Sequence, residues 1–308
     1  MKEGAAADAA VDEASKKTTS RREMARNHER FEEVSPEVGE LDESAFDRAM
    51  DEDPDEALAL LADLTAATDP RLRALARRLA GRLMLDLSRR GPGRPRGIGR
   101  MVSQRYRPDA GDLDIDASLE PITEARATGG LADVERLRVR GWVKPGTALC
   151  LLVDRSGSMG GKPLATSAVA AASVAWRSPE DYSVLAFGKD VVVAKSQDSP
   201  KSGERVVNDV LSLRGFGTTD LAAALQTAAG QLARSRAGRR IAVLLSDCRA
   251  TVPGDVAAAA RSLDEVCIVA PAGDDEEARR LAAEIGARVV AVAGPSELPE
   301  ALAQLLGD

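Results

Sequence analysis

From residue 147 onward the apolar residues gather into short unbroken runs: TALCLLV, YSVLAFG, VVVA, IAVLLS, VCIVA and RVVAVA. A strand that is apolar at consecutive positions is buried on both faces, which is the pattern of a sheet covered on each side by helices. Between the runs lie stretches with helical spacing at 163–176, 204–213, 220–233, 255–263, 274–285 and 295–306. YSVLAFG and VVVA are joined only by Gly188-Lys189-Asp190, a hairpin signal that makes VVVA an antiparallel edge strand. The order predicts a doubly wound α/β domain over 146–308, with a mostly parallel six-stranded sheet flanked by helices. In such folds ligands bind beyond the carboxyl ends of the strands.

Upstream the period changes. Asp53-Pro54-Asp55-Glu56 precedes ALALLADLTAAT, and Asp69-Pro70 opens RLRALARRLAGRLMLDLSRR, in which Leu72, Leu75, Leu79, Leu83 and Leu87 fall three or four apart. An acidic cap followed by proline at the first helical position is a strong start signal, so 38–90 is expected to be a helical region with an amphipathic second helix. GPGRPRGIGR cannot continue that helix, and 91–145 is expected to be a linker and extended segment. Asp112, Asp114 and Asp116 alternate with Leu113 and Ile115 as a strand would. A calcium loop would require glycine and glutamate where Ala117 and Thr123 stand. Residues 1–37 hold few large apolar side chains and are expected to be a disordered tail.

Composition changes this picture little. Of 308 residues 30% are charged and 3% aromatic, so the core must be built from alanine, leucine and valine. The net charge of −7 is unevenly spread: 1–56 is acidic, whereas 71–107 is rich in arginine. Such a segment either meets an acidic partner or forms a solvated helix face with long apolar stems. If that partner were a nucleic acid, contact would be mainly to phosphate, because Tyr106 is the segment's only aromatic residue. Cys150, Cys248 and Cys267 are too few and too far apart for a disulfide framework. Neither a signal-like apolar core nor a membrane-length apolar stretch is present, and a soluble cytoplasmic protein is expected.

The chemistry concentrates at three strand or helix ends. Asp154-Arg155-Ser156-Gly157-Ser158 follows the first run directly, Gly217-Thr218-Thr219-Asp220 opens a helix, and Ser246-Asp247 closes IAVLLS. Brought to one crevice, these loops offer carboxylates and hydroxyls, hard oxygen donors that suit Mg²⁺ or Mn²⁺ rather than zinc or copper. The bland alternative is that Asp154 and the serines only cap the following helix. Catalytic readings fail on residue type. Ser156 stands where a phosphate loop needs glycine, Ser158 lacks the glycine two places before it that a hydrolase elbow needs, and the one histidine, His28, lies in the tail. No enzyme is expected.

The D-x-S-x-S loop, the distal threonine and the strand-end aspartate resemble the metal-ion-dependent adhesion site of von Willebrand factor A domains. The order of elements from 146 to 307 is similar to the same fold. The resemblance implies Ser156, Ser158 and Thr219 as direct metal ligands, with Asp154 and Asp247 acting through water, and a partner Asp or Glu completing the shell. It also implies a choice of Thr219 over Thr218. Many relatives have glycine after the strand-end aspartate, where this chain has Cys248; that thiol is either redox-sensitive or a small semi-buried side chain. An N-terminal helical extension before such a domain is similar to CoxE-like proteins and to the C-terminal part of the magnesium chelatase D subunit, here with 111–128 as the matching acidic segment. That similarity implies a role as adaptor to an AAA+ ATPase of the MoxR kind, in protein complex or metalloenzyme maturation. The alternative is a nucleic-acid-associated protein using 71–107.

Overall fold

A computed structural model describes residues 1–89, 100–106, 112–134, 136–143, 146–155, 160–213 and 217–307. The chain divides into two compact units, one built from 1–94 with 147–308 and the other from 95–146.

The N-terminal part of the larger unit is helical: α1 (Ala5–Ser15), α2 (Arg21–Asn27), α3 (Phe31–Val34), α4 (Glu43–Glu52), α5 (Pro54–Leu64) and α6 (Pro70–Arg89). The start signals act as anticipated. The Asp53 carboxylate accepts from Glu56 N at 3.0 Å and that of Asp69 from Leu72 N at 2.7 Å, satisfying amides that a helix start leaves without partners. In α6 Leu72 and Leu79 are buried, whereas Arg71, Arg78, Arg82 and Arg89 are exposed on the other side.

Residues 1–37 depart from the expectation of a disordered tail. Met24, Phe31 and Val34 are all at or below 1% exposure and belong to the same apolar cluster as α5 and α6. The first residues also extend the sheet, since Lys2 N donates to Val191 O at 2.7 Å and Val193 N to Lys2 O at 2.9 Å. Glu3 then accepts from Arg234, Ser196 and Gln231, chiefly from Arg234, which holds its carboxyl down to about 2. Few large apolar groups suffice when other helices supply the surface against which they are buried.

The smaller unit holds β1 (Arg100–Arg105), β2 (Asp112–Leu113), α7 (Leu119–Thr128) and β3 (Arg138–Val143), with strand order β1-β3-β2 and antiparallel pairing. Of the alternating aspartates only Asp112 lies in a strand, β2, which pairs with β3; Asp114 follows it and Asp116 lies in the turn before α7. Asp114 is buried and meets Arg140 Nε at 3.1 Å. The helix α7 breaks the expectation of an extended segment. The predicted breaker run at 91–99 lies outside the described residues.

The chain then runs through β4 (Thr147–Asp154), α8 (Gly161–Arg177), β5 (Tyr182–Phe187), β6 (Val191–Lys195), α9 (Gly203–Ser212), α10 (Leu221–Leu232), β7 (Arg239–Leu245), α11 (Val256–Ala260), β8 (Glu265–Pro271), α12 (Glu276–Ile285), β9 (Arg288–Val292) and α13 (Leu298–Leu306). The six strands are ordered β6-β5-β4-β7-β8-β9, with β6 antiparallel at the edge and all other pairs parallel, as the apolar runs imply. Along β4, Leu149, Leu151 and Val153 enter one apolar cluster and Ala148, Cys150 and Leu152 the other. That alternation is why an unbroken run was needed. The first cluster continues through α8 and α9 into α4, α5 and α6, so the N-terminal helices form a further layer on one side of the sheet. Among the described residues no helix is long and apolar enough to cross a membrane.

Candidate functional site at the carboxyl edge of the sheet

Strand order reverses between β4 and β7, and both strands end at the same edge. Their register pairs Val153 with Leu245, so Asp154 and Ser246 follow side by side. Ser246 Oγ donates to Asp154 Oδ2 at 2.6 Å and accepts from Cys248 N at 2.9 Å. Asp154 is 9% exposed, a carboxylate set into the floor of the crevice rather than out in solvent. Asp247 Oδ1 accepts from Arg249 N at 3.0 Å, a local turn that steadies the side chain at the strand end.

The threonine segment is drawn to the same place by backbone hydrogen bonds. Arg155 N donates to Phe187 O at 2.7 Å, and Asp220 N donates to Gly188 O at 3.1 Å, so the residues after β4 and before α10 share the β5–β6 hairpin. Thr251 N and Val252 N both donate to Thr219 O, and Thr219 N donates to Thr251 Oγ1 at 2.7 Å, which ties Thr219 to the chain just beyond Asp247. Asp220 Oδ1 then caps α10 through Ala223 N at 3.0 Å.

Thr219 is 1% exposed, and its Oγ1 has no hydrogen-bond partner among the described residues, while Thr218 is exposed. A buried hydroxyl without a partner costs roughly 1–3 kcal/mol, which a ligand oxygen or cation would offset. Asp154, Thr219 and Asp247 supply carboxylates and a hydroxyl, donor types that fit a hard divalent cation. Ser156 and Ser158, the other two hydroxyl candidates, lie outside the described residues. Beside Asp154, Ser246 and Asp247 opens a cleft of about 290 Å³, walled by Pro163, Leu245 and Val292 with Lys162 at its rim.

Cys248 takes φ 63°, the left-handed region that favours glycine, so the chain keeps a glycine-like turn after Asp247 with a side chain that strains it. Burial, then the neighbouring carboxylates of Asp247 and Asp154, push its thiol up to about 12. It is 7% exposed and packs into the apolar cluster on that side of the sheet.

Several residues at this edge carried no separate role in the sequence. Ser246 bridges the two strand ends, and its only signal is its place before the strand-end aspartate. Arg155 lies beside Asp190 and Asp154, and burial depresses its pKa. His28, placed in a tail by composition, is 4% exposed, with Nε2 2.9 Å from Asp63 Oδ2 and Nδ1 3.0 Å from Glu56 Oε1. The arginines of α6 are partly engaged by the chain itself. Arg77 donates to Thr65 O and Ser212 Oγ, Arg82 to Glu43, and Arg89 to Asp86 while lying over the Trp176 ring.

A doubly wound sheet whose strand-end loops bring carboxylates and hydroxyls to the switch point defines an α/β domain with its ligand site at the carboxyl edge. Residues 148–304 match the von Willebrand factor type A domain, and the chain belongs to that family. Comparison with curated proteins finds no match. Similar solved structures include proximal thread matrix protein 1 from the mussel byssus, at 16% identity over 50% of this chain and 45% of that one, TM-score 0.39. A von Willebrand factor type A protein from Catenulispora acidiphila is 18% identical over 53% of this chain and 42% of its own, TM-score 0.39. An aerotolerance-related membrane protein from Bacteroides fragilis is 17% identical over 53% of this chain and 98% of its own, TM-score 0.39. The chain thus spans less than half the length of the first two.

Proposed function

We propose that the chain is a Mg²⁺- or Mn²⁺-dependent protein-binding module, with the metal held by Asp154, Ser156, Ser158, Thr219 and Asp247. Domains of this family are protein-interaction modules. The observation that carries the metal reading is the buried Thr219 hydroxyl, which has no hydrogen-bond partner among the described residues, in a segment tied by hydrogen bonds to the residues beyond Asp247. When bound, the cation supplies an electrophilic place for one carboxylate from outside. Hydroxyl ligands would leave that charge little neutralised, with Asp154 and Asp247 acting through water. Ser246 keeps Asp154 turned toward the crevice, and the cleft beside it receives the segment around the partner's Asp or Glu.

In this reading the chain performs no chemistry of its own. It works in the cytoplasm as an adaptor that presents a client to a MoxR-type AAA+ ATPase during protein complex or metalloenzyme maturation. Calorimetric titration of the full chain should show uptake of Mn²⁺ or Mg²⁺, lost in Asp154→Ala while circular dichroism shows the domain still folded. Affinity capture should recover an AAA+ ATPase with Mg²⁺ present and not with chelator. Recovery of the same partners in chelator would overturn the metal dependence.

A further inference from the structure

The segment carrying Ser156 and Ser158 continues into Gly160, which precedes α8, and Gly160 has no side chain with which to cap that helix. The acceptor comes instead from another helix. Asp63 Oδ2, near the end of α5, accepts from Gly161 N at 3.2 Å, with Gly161 in the left-handed region at φ 53°. A Cβ on Gly160 would lie 3.4 Å from Asp63 Oδ1, so the glycine lets the carboxylate lie directly against the backbone. A negative charge at this end of a 17-residue helix is favourable both as a hydrogen-bond acceptor and against the helix dipole.

Asp63 is itself held. Its Oδ2 also accepts from His28 Nε2 at 2.9 Å, while His28 Nδ1 meets Glu56 Oε1 at 3.0 Å. Each ring nitrogen thus faces a carboxylate oxygen, an arrangement that favours the imidazolium, which can donate from both. Glu56 Oε2 in turn lies 3.8 Å from Lys162 Nζ on α8, completing an alternating set of charges in which Asp63 and His28 are 7% and 4% exposed. The same helix grips a second point, since Asp55 Oδ1 accepts from Ser296 N at 2.9 Å just before α13.

We propose that Asp63, locked by His28, is a positioning residue for the metal-binding loop: the N-terminal helical layer holds the downstream end of the loop that carries Ser156 and Ser158, and thereby sets metal affinity. The proposal rests on the metal-site reading above. Groups that fix a loop bearing metal ligands act through geometry, and removing supporting hydrogen bonds around metal sites costs about 10–100-fold in affinity.

The test uses the full chain and Mn²⁺ alone, with Asp63→Leu, Asp63→Asn and His28→Gln compared with wild type. Calorimetry reads Mn²⁺ affinity, and NMR hydrogen exchange reads the Gly161 amide without metal, at a temperature where each variant is folded. Asp63→Leu should weaken Mn²⁺ binding by about ten-fold or more and speed exchange at Gly161. Asp63→Asn keeps an acceptor for Gly161 and should recover most of both, which loss of stability alone would not produce. If Asp63→Leu fails to fold, His28→Gln carries the test, with a smaller loss of the same sign. Unchanged Mn²⁺ affinity and Gly161 protection in the folded variants overturn the positioning role while leaving the metal site standing. Absence of Mn²⁺ uptake by wild type removes the metal-site reading itself and this proposal with it.

Discussion

The sheet and the N-terminal helices bury their apolar residues by different means. Each central strand carries enough consecutive apolar residues to fill both faces, as β4 does with Leu149, Leu151 and Val153 on one side and Ala148, Cys150 and Leu152 on the other. Residues 1–52 carry sparser anchors, among them Met24, Phe31 and Phe46, which are buried in one apolar cluster with residues of α5, α6 and α8. The contrast teaches that order in a polar segment is set by the surface offered to it as well as by its own composition. It also places a polar contact network, His28 with Glu56 and Asp63, in the seam between the two regions.

The largest test asks whether the two regions are one cooperative body. Phe46 is fully buried in the cluster shared with α8, and Phe46→Ala should cost about 3–5 kcal/mol while calorimetry still shows a single melting transition for the larger unit. A separate low-temperature transition for the helices would show that the sheet stands without them. Next in size is the second grip of α5. A Cβ at Gly294 would fall 2.0 Å from Asp55 Oδ2, so Gly294→Ala must expel Asp55 from its bond to Ser296 N. Loss of that capping interaction should cost about 1–2 kcal/mol in urea unfolding; an unchanged midpoint would mean that the contact contributes nothing. Within the sheet region, Cys248→Val places a β-branched side chain at φ 63° and should cost about 1–2 kcal/mol, whereas Cys248→Gly should not destabilise the fold comparably.

The smallest effect is a pH dependence confined to the seam. Burial pulls the His28 pKa down, but hydrogen bonds and charges from Asp63 and Glu56 outweigh it and leave it raised. A raised folded-state value means that the imidazolium's stabilisation is complete below about pH 6.5, the ordinary histidine value, and is lost as pH climbs through the folded-state value. The stability difference between wild type and His28→Gln should therefore be greater near pH 6 than near pH 9. An equal difference at both would mean that His28 is neutral in the folded chain.

Much of the sheet region was legible because its signals are local. Apolar runs named the strands, the Gly188-Lys189-Asp190 hairpin named the antiparallel edge, and Asp154, Thr219 and Asp247 each stand at the end of a run or the start of a helix. The capping pairs at Asp53 and Asp69 were equally plain, since a cap acts on amides only three residues away. By contrast, α7 was missed because 119–128 has only a weak apolar stripe, and the tail was missed because local composition cannot reveal a surface supplied by distant residues.

By itself the chain's order of residues determined the strands of the six-stranded sheet, the starts of α5 and α6 and the chemical type of the candidate ligands, all consequences of spacing over a few positions. Only the tertiary structure decided that Ser246 bridges to Asp154 across β7 and β4, that the buried Thr219 hydroxyl has no partner among the described residues, and that Asp63 supplies the acceptor Gly160 lacks. Those contacts join residues up to 98 positions apart, where no periodicity can carry a signal and only packing brings the charges together.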